Sequence, residues 1–195
     1  LNWNRAQQSS FIVFIWQLMY EEVNKSTLGW TEELRRVKRQ TDVFKEDSDV
    51  DVAFFSKFSL ISSDQGVRGF LQIVNDLCFL LSTELGLRDV NWTSTDYLKD
   101  DNITTKDIEE SIKDLKKNTR LFKFLKLLCE ELVTFDWRTS SAPGLNEVQR
   151  RQQMLFKGSS GYKEIRVQLL KLLEGSKDQL ISNTASKAQQ YLGYV

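Results

Sequence analysis

Val67, Phe70, Leu71, Val74, Leu77, Cys78, Leu81 and Leu85 follow one another at steps of three and four residues. That spacing puts apolar groups on one side of a helix and gives no alternation for a strand. Ser62, Ser63 and Asp64 precede the stripe as capping residues, and Gly86 follows it as a left-handed stop. Pro143 is the only proline in 195 residues, so little else interrupts helical hydrogen bonding. The chain is expected to be all-α, an irregular multi-helix bundle of roughly seven or eight helices.

The same reading places helices at about Arg5 to Asn24, from near Thr31, and at Thr105 to Asn118, Thr119 to Phe135, Leu145 to Lys157, Gly161 to Glu174 and Ser176 to Leu192. The helix near Thr31 opens with Glu32 and Glu33 at its positive end and continues with Arg35, Arg36, Lys38 and Arg39. "KEDSDVDVAFFSKFSLI" is read as helix on the strength of Phe54, Phe55 and Phe58. "DWRTSSAPG", residues 136–144, holds the proline among polar residues. Residues 1–195 are therefore taken as a single all-α domain, with 136–144 the one place where it could divide. Because the chain starts at Leu1 rather than Met, it is expected to be a fragment of a longer protein or a processed form.

The most apolar run, "FIVFIWQLMY", is ten residues long and followed by two glutamates. It is too short to span a bilayer and lacks the flanks of a secretory signal. No membrane partner is expected, and the expected location is intracellular, in the cytoplasm. Cys78 and Cys129 lie on apolar helical stripes and are read as core residues, not as a metal or disulfide pair.

Histidine is absent, which removes the commonest general base, the usual catalytic triad and most zinc or iron sites. Paired acids at Glu21/Glu22, Glu109/Glu110 and Glu130/Glu131 lack a third acid one turn on, so they are read as solvated helix surface. A carboxylate-metal enzyme is kept as a remote alternative. Asp47, Asp49 and Asp51 alternate like a calcium loop but lack its glycine and distal glutamate. Gly66 and Gly69 in "DQGVRG" have no strand before them and are assigned to close helix packing. No catalytic motif is recognisable and no cofactor is expected.

Residues 1–110 carry 12 basic and 19 acidic side chains, and residues 111–195 carry 15 and 8, so the halves differ as −7 and +7. The basic half contains two candidate anion sites. Lys113, Lys116, Lys117, Arg120 and Lys123, with Lys126 beyond, step along one helical side opposite Ile112, Leu115, Phe122, Leu125 and Leu128. The second candidate is "KGSSGYK": Lys157, Gly158, Ser159, Ser160, Gly161 and Lys163, with Arg166 after it and Arg150 and Arg151 before it. There a serine would cap a helix whose N–H groups face outward beside several cations. The glycine spacing is similar to the loop of the KH nucleic-acid module over about ten residues, but the flanks read as helices where that module needs strands.

The sequence thus points to a non-enzymatic helical binding domain of a larger protein, its basic half contacting nucleic-acid phosphate or another polyanion. The alternative is a protein–protein interaction or oligomerisation domain that binds no nucleic acid.

Overall fold

The computed structural model describes residues 2–41, 50–93 and 103–194, with side chains through residue 37 in the first of these ranges. The described residues contain eight helices: α1 (Arg5–Lys25), α2 (Gly29–Thr41), α3 (Asp64–Leu80), α4 (Thr105–Lys117), α5 (Thr119–Leu132), α6 (Glu147–Met154), α7 (Gly161–Glu174) and α8 (Gln179–Tyr191). The chain is all-α, as its periodicity predicts, and no helix among the described residues is long and apolar enough to cross a membrane.

Local chemistry sets most helix starts. Asn4, Thr104 and Asn146 each accept a hydrogen bond from the third helical N–H, and the side chains of Gln7, Asp107 and Gln149 accept one from the capping residue's own N–H. Ser63 caps α3 by accepting from the Gly66 N–H at 3.1 Å. Asn118 closes α4 and opens α5, so these two helices meet at a corner with no loop between them.

Two helical layers build the core. In one, α1 packs on α4 and α5; in the other, α3 packs on α7 and α8; the contact of α5 with α7 joins them. α3 buries Phe70, Val74, Leu77 and Cys78 of the expected stripe, with Ile73 beside them, while Val67 and Leu71 are half-buried. Gly69 is needed for its closest contact, because a Cβ there would stand 2.5 Å from the Ile165 side chain of α7.

Three sequence expectations change. α3 ends at Leu80, and Leu81 and Leu85 are buried from the turns that follow, where Gly86 has φ 60°. The expected helix over the aromatic stretch is a series of turns over 50–63; its residues 45–49, with Asp47 and Asp49, lie outside the described residues. Asp51 accepts from the Ala53 N–H, and Ser59 donates to the Ala53 carbonyl, which diverts the backbone from helical pairing. Finally, the polar segment 136–144 is packed inward: Trp137 is fully buried and its carbonyl accepts from the Leu60 N–H, while Arg138, Ser140 and Ala142 are also buried.

Candidate functional site

The α4–α5 corner carries a basic ridge. α4 buries Ser111, Ile112, Asp114 and Leu115, and α5 buries Leu121, Phe124, Leu125, Leu128, Cys129 and Leu132, which turns Lys113, Lys116, Lys117, Arg120, Lys123 and Lys126 to solvent. Two of these are occupied: Lys117 pairs with Asp114 at 2.8 Å and Lys126 with Glu130 at 3.7 Å. Lys116 lies over the ring of Phe14, 5.7 Å from its centre, and so also covers the core. Among the described residues, Lys113, Arg120 and Lys123 have no carboxylate within ion-pair distance.

Asp114 holds the corner from beneath. Its carboxylate is 3% exposed and accepts from the N–H and hydroxyl of Thr93 at 2.7 and 2.9 Å. Burial opposes its ionisation, but the Lys117 ammonium and the two Thr93 donors outweigh burial and bring its pKa below the ordinary 3.8. A carboxylate depressed on folding stabilises the protein in full above its unfolded pKa and loses that contribution as pH falls through the folded value. Unfolding free energy should therefore decline in acid below about pH 4, and Asp114→Asn should make that decline shallower. Urea midpoints measured from pH 6 down to pH 2.5 check this, and identical acid limbs would contradict it.

The glycine-serine loop has a different geometry from the one its sequence suggests. Gly158, Ser159 and Ser160 are exposed, but Gly161 is buried because a Cβ there would stand 2.0 Å from the Phe156 carbonyl oxygen. Neither serine caps α7: Ser160 occupies the capping position without a side-chain bond. The N–H groups are used internally, Gly161 donating to the Gly158 carbonyl, Tyr162 to Gln65 Oε1 and Lys163 to the Ser160 carbonyl. Gly158, at φ 79°, supplies the left-handed turn. The loop is built as a corner between α6 and α7, and its backbone N–H groups at 161–163 do not form an open cradle.

Its cations are also dispersed. Arg166 makes two bonds to Asp76 of α3, at 2.7 and 2.6 Å, and this carboxylate raises the guanidinium pKa above its ordinary value. Arg150 donates to the Ser140 carbonyl at 2.6 Å. Arg151 pairs with Glu147 at 3.5 Å on the exposed face of α6. Lys157 and Lys163 remain exposed on either side of the loop. The basic half thus spends several arginines on architecture and leaves lysines at its surface.

Two further arginines, outside the candidate anion sites, follow the same rule. Arg35 reaches the Val23, Asn24 and Ser26 carbonyls at the end of α1 while pairing with Asp51 and Glu32. Arg138 joins Asp136 to Glu33 of α2. A planar fork suits such multiple bonding.

The acidic pairs do not assemble into a centre. Burial first, and then Glu22, Glu130 and Glu21, push the Cys129 thiol well above its ordinary 9.0. Glu131 accepts from the Ser176 hydroxyl. Among the described residues, no three acidic, cysteine or histidine side chains come together as metal ligands. Comparison of the chain with protein-family models, with curated proteins and with solved structures found no match.

Proposed function

We propose that the chain is a binding domain that holds a polyanion, with nucleic-acid phosphate the favoured class, along the α4–α5 ridge. The observation that supports this reading is the exposed run Lys113, Lys116, Arg120 and Lys123, of which Lys113, Arg120 and Lys123 have no carboxylate partner among the described residues. A row of unpaired cations on a rigid corner can displace condensed counterions from a phosphate backbone, and it needs no base-specific contact to do so. Lys157 and Lys163 belong to this reading as additional exposed cations, whereas the Arg166 and Arg150 side chains are already bonded within the fold.

The test replaces Lys113, Arg120 and Lys123 together with glutamine, leaving Lys116 on the Phe14 ring. Because exposed charges add little to stability, the melting temperature should stay within a few degrees. Affinity for a mixed-sequence duplex, followed by anisotropy over a salt series, should fall, and the log–log salt slope should flatten by about 2–3. Unchanged affinity and slope would reject the ridge. A protein partner is the second reading, favoured by α6 and the residue after it, where Val148, Met154 and Leu155 are 66%, 56% and 59% exposed. Under that reading the same salt series shows no binding to either DNA or RNA.

A further inference from the structure

α1 and α3 belong to different layers, and a cleft of about 520 Å³ opens between them. Trp3, one of its lining residues, packs edge-on against Trp92. Phe11, Ile12, Leu71, Val74 and Phe79 are among its apolar lining residues. Ile12 and Phe79 are 50% and 64% exposed, so a substantial apolar surface faces the opening. Cys78 completes one wall, and burial pushes its thiol up to about 12, which keeps it protonated and apolar in character.

Of the polar lining residues, Gln8 donates to the Trp3 carbonyl, and the other three have unspent bonding capacity. Among the described residues, the side chains of Asn75, Ser82 and Arg88 have no hydrogen-bond or ion-pair partner, and Ser82 and Arg88 both follow the C-terminal end of α3. An apolar trough of this size with a few polar groups is what small-ligand sites of roughly 300–1,000 Å³ require. A single guanidinium in the lining matches one negative charge, and its planar fork matches a carboxylate.

We propose that this cleft binds a free, long-chain monocarboxylate, its apolar body lying between α1 and α3 and its carboxylate accepting from Arg88 and Ser82. The site is separate from the α4–α5 ridge and does not rest on it. Its test is calorimetric titration of the full chain with dodecanoate, kept below its micellar concentration, beside dodecyltrimethylammonium as a charge-reversed probe. Saturable one-to-one binding of dodecanoate is expected, with Arg88→Gln weakening it about tenfold through loss of a charge-assisted pair. Asn75→Trp, an exposed position in the lining, should fill the trough and abolish binding while circular dichroism and melting stay native.

Absence of saturable binding overturns the proposal. So does equal binding of the cationic probe, or binding that both variants leave intact. Concentration-dependent dimerisation removed by Asn75→Trp would assign the cleft to a second copy of the chain and overturn it as well.

Discussion

Trp137→Ala is expected to lower the unfolding free energy by about 3–5 kcal/mol, the cost of emptying a large aromatic site in a packed core. The side chain is fully buried, its ring stands edge-on to Phe135 with centres 5.0 Å apart, and its Nε1–H donates to the Leu132 carbonyl at 2.8 Å. The loss should extend beyond the cavity, because the Trp137 carbonyl also receives the Leu60 N–H and so secures the turns over 50–63. Trp137→Phe keeps a ring but removes the Nε1–H bond and leaves the Leu132 carbonyl with the Phe135 N–H alone, and should cost about 1–2 kcal/mol. Chemical denaturation decides: a loss under about 1 kcal/mol for the alanine variant would make 136–144 a connector rather than part of the core.

Asp76→Ala should be the next most damaging, at about 3 kcal/mol, because it leaves the Arg166 guanidinium inside the α3–α7 contact without its carboxylate. The two side chains are only 12% and 19% exposed, so water replaces little of the lost partner. Replacing both with leucine should recover much of the loss, since an apolar pair avoids the desolvation of either charge. A double-mutant cycle measures this coupling. If Asp76→Ala is neutral and Arg166→Ala weakens polyanion binding, Arg166 belongs to a binding surface and not to the frame.

These two residues show what the sequence could and could not reveal. Helix positions were legible because three-and-four spacing and capping side chains act within a few residues, as at Ser63 and Asn118. The exposure of Lys113, Arg120 and Lys123 was legible for the same reason: the apolar side of each helix fixes the opposite one. Arg166 was not, since the carboxylate that engages it lies 90 residues earlier in the chain. Polar composition likewise hid the role of 136–144, where one tryptophan outweighs its soluble neighbours. In 50–63 the phenylalanine spacing imitates a helix, but Asp51 and Ser59 bind nearby backbone and Asp51 also engages Arg35. The alternative geometry of Gly161 depends on a carbonyl five residues away whose approach no pattern announces.

The strip from Val133 to Arg138 has a consequence for how the protein is made. Trp30 Nε1 donates to the Val133 carbonyl across 103 residues, Leu60 donates to Trp137, and Glu33 pairs with Arg138. The first third of the chain therefore awaits partners that leave the ribosome much later, after roughly 5–20 s at ordinary elongation speeds of about 5–20 residues per second. Throughout that interval the apolar face of α1, with Phe14, Ile15, Leu18 and Met19, has no α4 or α5 to cover it. The nascent chain spends its longest exposure with its most adhesive segment uncovered, so yield in a cell should respond to elongation rate and chaperone supply more than to the stability of the finished fold.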